Sequence, residues 1–158
     1  MISRRTFLLG AYGSLFGGLT LGGYCHFVEP RWVEINKVTI PIKDLPKKFR
    51  GMTIAQLSDI HHSKYVPREF VRSCVRMVNR LSPDIVVLTG DYIEGSPVFL
   101  PSVTEELAAL RAKEGIFAIM GNHDLKDDTF DALSRRGIQV LINAHVPFYR
   151  RKDYLRIN

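Results

Sequence analysis

Three short polar clusters could do chemistry together: Ser58-Asp59-Ile60-His61-His62, Gly90-Asp91, and Gly121-Asn122-His123-Asp124. Each follows an apolar run, and roughly one strand–helix repeat separates one from the next. Carboxylate, imidazole and amide oxygen are ligands for borderline or hard divalent ions. Asp59, His61, Asp91, Asn122 and His123 therefore suit Mn, Fe or Zn better than a thiolate-seeking ion. A carboxylate between two such ions can bridge them. Two metals about 3.5 to 4 Å apart acidify a shared water and hold the attacking and phosphoryl oxygens of a displacement. Asp91, on the central run, is the natural bridge. The competing reading, turn formers and helix caps, accounts for any one cluster but not for three at successive strand ends.

The elements that must position these residues follow from periodicity. Ile85-Val86-Val87-Leu88, held between Pro83 and Gly90, reads as a strand buried on both faces, as in parallel sheets. Ligands of open α/β sheets bind at the carboxyl edge of the strands, which is where Asp91 stands. Met52 to Leu57, Ile116 to Met120 and Ile138 to Ile142 read as further strands, and Pro147 to Ile157 as one more. Val33 to Ile42, interrupted by Pro41, reads as an edge strand.

A helix is expected over Arg68 to Leu81. Phe70, Val71, Cys74, Val75, Val78 and Leu81 fall on its apolar face, and Glu69, Arg72, Arg76 and Arg80 on a solvated one. Asp84 reads as a turn or cap residue. Ser102-Val103-Thr104-Glu105 has capping-box spacing and starts a helix ending near Gly115. A third helix runs from about Asp128 to Arg136 and closes at Gly137. The series is α/β, a run of βαβ units with right-handed crossovers and helices on both faces of the sheet.

The chain of 158 residues is long enough for one domain with a real core. Its net charge of +6 is spread along the chain without a basic tract, so no nucleic-acid partner is expected. Cys25 and Cys74 make neither a disulfide framework nor a metal knuckle, and Cys74 reads as a core residue. The chain opens Met1-Ile2-Ser3-Arg4-Arg5-Thr6-Phe7-Leu8, then carries no acidic or basic residue before Glu29 apart from His26. This resembles a twin-arginine export signal. Gly10, Gly13, Gly17, Gly18, Gly22 and Gly23 make the apolar stretch a poor membrane span. Residues 1–28 are expected to be an export signal, cleaved or kept as a membrane anchor, with the folded domain over 29–158. Export machinery, membrane association through this segment and a place in the periplasm or at the outer face of the bacterial inner membrane follow.

Asp59-x-His61, Gly90-Asp91 and Gly121-Asn122-His123-Asp124 together resemble the first three motifs of the calcineurin-like metallophosphoesterase family, in order. With the export-type start, the chain looks like the exported bacterial phosphodiesterase branch. The resemblance implies a metallophosphoesterase-type sandwich, two divalent ions (Mn, Fe or Zn) and a phosphodiester substrate cleaved by metal-activated water. It implies that Asp59 and His61 hold the first metal, that Asp91 bridges and that Asn122 holds the second. His123 would stabilise developing charge or protonate the leaving oxygen, and Asp124 would orient its imidazole.

Two departures stand out. Protein serine/threonine phosphatases of the family carry Asp-Arg-Gly after the bridging aspartate, where this chain has Tyr92-Ile93-Glu94-Gly95. The family's later His and Gly-His-x-His ligands have no counterpart before Asn158, and His145 reads as an exposed loop residue. The expectation is an amino-terminal half that binds metal weakly, with one face of its sheet uncovered; the alternative is an inactive, membrane-tethered binding module. His62 is expected to stand behind the ligands or in solvent, not to ligate metal.

Overall fold

Strand order decides where the helices lie. The computed structural model describes residues 4–27, 32–150 and 153–157. The chain divides into two units, Met1–Thr39 and Ile40–Asn158. The expected domain start at Glu29 lies outside the described residues. Among its described residues the first unit holds one helix, α1 (Arg4–Phe27), in which Thr20 donates its hydroxyl to the Phe16 and Gly17 carbonyls. Among the described residues no helix is long and apolar enough to cross a membrane.

The second unit alternates β1 (Ile54–Leu57), α2 (Arg68–Leu81), β2 (Ile85–Leu88), α3 (Leu100–Leu107), β3 (Gly115–Ala118), α4 (Lys126–Ser134) and β4 (Gln139–Val140), and closes with the hairpin β5 (Val146–Arg150) and β6 (Asp153–Ile157). The sheet is parallel in the order β1-β2-β3-β4, with Ile54 beside Ile85 and Ile85 beside Gly115. Every crossover therefore steps in one direction. With uniform right-handedness all three helices fall on the same face, so the expectation of helices on both faces is corrected. Helices on the second face require a reversal of strand order, and β1 to β4 contain none.

On the helical face Val86, Leu88 and Ala118 pack against Val71, Val75 and Val78 of α2, Val103 and Leu107 of α3, and Leu133 near the end of α4. The other face takes Ile85, Val87 and Phe117, covered by Phe49 and by Phe148 and Leu155 of the hairpin. Phe117 and Phe148 meet edge to face at 5.5 Å. This cover stops short of β1, where Ile54 is 52% exposed, so the second face is half clothed, not bare.

Several expected boundaries move. Residues 32–42 form no strand; Pro41 lacks the N–H a ladder needs, and Val38 and Ile40 face solvent. The segment expected as one last strand is a hairpin, β5 paired antiparallel with β6; residues 151–152 lie outside the described residues. The fourth strand shrinks to Gln139–Val140, after which Ile142 turns out to solvent. Helix α3 begins two residues before Ser102, because Ser96 caps a 3-10 turn, Pro97–Phe99, that runs directly into it. Ser102 sits inside the helix and donates to the Phe99 carbonyl. At the far end Asn79 donates to Ala109 O and accepts from Arg111 N, each at 2.8 Å, so the helix stops long before Gly115. Helix α4 ends at Ser134, and Gly137 in the left-handed region lets Ile138 N reach Leu133 O, a Schellman closure.

The arginine row of α2 is not solvent-facing throughout. Arg72 donates through Nε and Nη2 to Glu106 of α3, at 3.0 and 2.8 Å, and Arg68 donates to the same buried carboxylate. The Arg72 bonds hold Glu106 at a pKa of about 2, aided by Arg68 and opposed by burial. A depressed folded-state pKa gives stability that is present above the ordinary value of 4.5 and is lost as pH falls towards about 2. Glu106→Gln is expected to cost about 1–3 kcal/mol at pH 7 and to flatten the acid limb of a stability-versus-pH curve. Coincident acid limbs for variant and parent would refute the assignment. Asp84, read as a turn residue, is a staple. It accepts Thr53 N and Oγ1 and takes Lys113 on its other oxygen; that pair, then the Thr53 bonds, lower its pKa to about 2.

Candidate metal centre

Beyond the end of the sheet the β1 and β2 loops continue side by side. Asp59 N donates to Gly90 O, His61 N to Asp91 O at 2.9 Å, and His62 N to Tyr92 O; Glu94 N returns to His62 O. A parallel bridge joins His62 and Ile93. These bonds fix Asp59 and His61 opposite Asp91, so two clusters far apart in sequence share one site.

The backbone is left-handed at each of these three residues, with φ +52 at Asp59, +46 at His61 and +55 at Asp91. Asp and His tolerate that region better than most side chains, but it still stores strain. The turns swing the side chains off the strand direction and towards one another. One ligand atom from each of Asp59, His61 and Asp91 lies within 4.8 Å of the others. His61 Nε2 is 3.8 Å from Asp59 Oδ1 and 4.0 Å from Asp91 Oδ2. Two carboxylates and an imidazole converging on one point, with Asp91 buried and Asp59 open to solvent, fit a borderline divalent ion and leave it an accessible side.

The β3 loop is laid directly against this pair. His123 N donates to Asp91 Oδ1 at 2.9 Å, and the His123 ring meets the His61 ring edge-on at 5.2 Å. Asn122 precedes it on the exposed rim of the same loop. The structure thus gathers Asp59, His61 and Asp91 into one cluster that could hold a metal ion and carries Asn122 and His123 on the adjoining loop. Asp124 is tied into the backbone of both loops. Its carboxylate accepts three backbone N–H groups, Asp91 and Gly121 at Oδ2 and Tyr92 at Oδ1, and so stitches the β2 and β3 loops together.

These residues match a known group. Residues 52–157 match the Calcineurin-like phosphoesterase family. The chain belongs to this family. YkuE, a Bacillus subtilis metallophosphoesterase, is 37% identical over 129 residues, 78% of this chain and 45% of the relative. Phosphodiesterase YaeI of Escherichia coli is 30% identical over 151 residues, 90% of this chain and 54% of YaeI. The UDP-2,3-diacylglucosamine pyrophosphatase LpxG of Chlamydia trachomatis is 35% identical over 105 residues, 64% of this chain and 31% of LpxG. The chain thus spans about half the length of these relatives or less. No solved structure matches.

Two further residues belong to the neighbourhood. His62 is buried, with Nδ1 2.7 Å from Val66 O and Nε2 2.7 Å from Ser102 Oγ, so both nitrogens serve the loop and neither is free for an ion. Glu94 places Oε2 3.4 Å from His61 Nδ1. In the sequence Glu94 marks only a departure from the Asp-Arg-Gly pattern. Its spacing of three from Asp91, on a loop paired with that of His61, is the signal that could have brought it into the site.

Proposed function

We propose that this chain is the amino-terminal part of an exported phosphodiesterase that uses two divalent ions, Mn, Fe or Zn. The observation that carries the reading is the convergence of Asp59, His61 and Asp91 within 4.8 Å on three left-handed residues at the carboxyl edge of a parallel sheet. Strain concentrated on three ligand-type side chains at one point is characteristic of a site maintained for chemistry.

In this reading Asp59, His61 and Asp91 would hold one ion, and Asp91 and Asn122 would serve the second. Bound divalent ions supply Lewis acidity and lower the pKa of water. The protein's own part is orientation. The His123 N–H bond fixes one oxygen of Asp91, leaving the other directed at His61. His123, exposed beside the ligand set, is placed to donate a proton to the departing ester oxygen. A phosphodiester substrate agrees with the name of YaeI, and export agrees with the Arg4-Arg5 start of α1.

The relatives are longer, so the test uses the protein as its own cells make it, fractionated and purified with Mn. It is expected outside the cytoplasm and to hydrolyse bis(p-nitrophenyl) phosphate only with Mn. Asp91→Asn in the same protein is expected to lower that rate at least about 100-fold, since the shared ligand serves both ions. Unchanged turnover in Asp91→Asn would overturn the reading. Mn binding without turnover in the parent would favour a tethered binding module.

A further inference from the structure

His61 can offer Nε2 to an ion only with its proton on Nδ1, and that nitrogen has a problem of its own. Nδ1 is buried and has no hydrogen-bond partner. An N–H left dry and unpaired is unfavourable enough to displace the proton or turn the ring. Glu94 is the carboxylate facing it, with Oε2 at 3.4 Å. The two residues cannot drift apart as units, because Glu94 N is bonded to His62 O and Ile93 bridges His62. The Glu94 side chain is 59% exposed, so its carboxylate is free to swing into line and close the gap that separates this approach from a normal hydrogen bond of about 2.7–3.2 Å.

We propose that Glu94 is a positioning residue: its carboxylate accepts Nδ1–H of His61, fixes the ring and leaves the Nε2 lone pair aimed between Asp59 and Asp91. This rests on reading those three as metal ligands. A carboxylate behind a histidine is how ligating imidazoles generally have their tautomer and direction set, and removing such a partner typically weakens metal binding about 10–100-fold. The position assigns work to a residue that supplies no ligand atom to the group itself.

The test uses the full chain labelled with 15N, at pH 7.5 and free of metal. Long-range proton–nitrogen correlation reads the tautomer of His61, its signals assigned by their loss in His61→Asn. The parent is expected to carry the proton on Nδ1, Glu94→Ala to lose that preference, and Glu94→Gln, which keeps an acceptor oxygen, to retain most of it. Manganese is then titrated into each protein and followed by broadening of the His61 signals. The expected order of affinity is parent, then Glu94→Gln, then Glu94→Ala, with the last at least 10-fold weaker than the parent and all three melting alike. A parent protonated on Nε2, or a Glu94→Ala affinity within twofold of the parent, overturns the proposal. If manganese leaves His61 of the parent unbroadened, the metal-ligand reading fails, and the tautomer measurement still decides the role of Glu94.

Discussion

Gly121→Ala is expected to destroy the site and to destabilise the second unit by about 3 kcal/mol or more. A Cβ at this position would stand 2.1 Å from Asp91 Oδ1, 2.4 Å from Asp91 N and 2.7 Å from Asp91 Cγ. Two of those atoms can move only if the carboxylate leaves the site, and the third is backbone. The neighbours have no room to give: Asp91 N is bonded to Asp124 and Asp91 Oδ1 to His123 N. Gly121 lies outside the left-handed region, so the effect is collision alone. Gly90 is its mirror across the two loops. A Cβ there would come within 2.3 Å of Gly121 N, and φ +93 adds backbone strain. The two strand tips thus touch backbone to backbone, and this closeness is what brings Asp91 and the Asn122 loop into one site.

The contrast that isolates the effect is Gly95→Ala. Gly95 also has a positive φ, +78, but nothing lies within 4 Å of its Cβ position. It is expected to cost only the left-handed term, about 1–2 kcal/mol. Urea denaturation of Gly121→Ala, Gly90→Ala and Gly95→Ala, with Mn affinity measured beside it, gives the comparison. If Gly121→Ala unfolds within about 1 kcal/mol of the parent, the loops are not held as close as the structure has them.

How much of this was legible in the sequence depends on how local the physics is. Ile85 to Leu88 could be read as a strand buried on both faces because four apolar residues between Pro83 and Gly90 allow little else, and Ile85, Val86 and Leu88 are almost completely buried. Helix α2 was legible from end to end, since its amphipathic period coincides with Pro67 before it and Ser82-Pro83 after it. The polar strand tips were legible for the same reason. Strand order was not, because no local pattern states which strand lies beside which, and with it went the placing of all helices on one face. The bounds of α3 failed because two start signals compete: Ser102 has the capping-box spacing, but Ser96-Pro97 acts first. The bonds of Asp124 between the loops, and Glu94 altogether, are overlooked for a deeper reason. They face a set of backbone N–H groups and one ring nitrogen across the loops, and such neighbours leave no spacing in the chain.

Asp124→Ala should be the most damaging substitution of a side chain that touches no ion. Three backbone donors, Asp91 N at 2.9 Å, Tyr92 N at 2.9 Å and Gly121 N at 2.7 Å, all end on this buried carboxylate. Each donor left unpaired costs about 1–3 kcal/mol. With partial rescue by water the expected loss is about 3–5 kcal/mol, a large share of the ~5–15 kcal/mol that holds a domain together. Tyr92 gives an internal check. Burial, and then the charge of Asp124, push its phenol well above the usual range, so the hydroxyl stays protonated and donates to Ile119 O at 2.7 Å. Removing Asp124 lifts one of those two causes and should bring the phenol down while the ring stays buried. Asp124→Asn discriminates between charge and shape. Its amide oxygen can replace only one carboxylate oxygen, and its NH2 must then face at least one backbone N–H, donor against donor. It is expected to lose about 1–3 kcal/mol and to keep part of the Mn affinity, whereas Asp124→Ala loses nearly all of it. Should Asp124→Ala melt like the parent, the carboxylate is not what holds the β2 and β3 loops together.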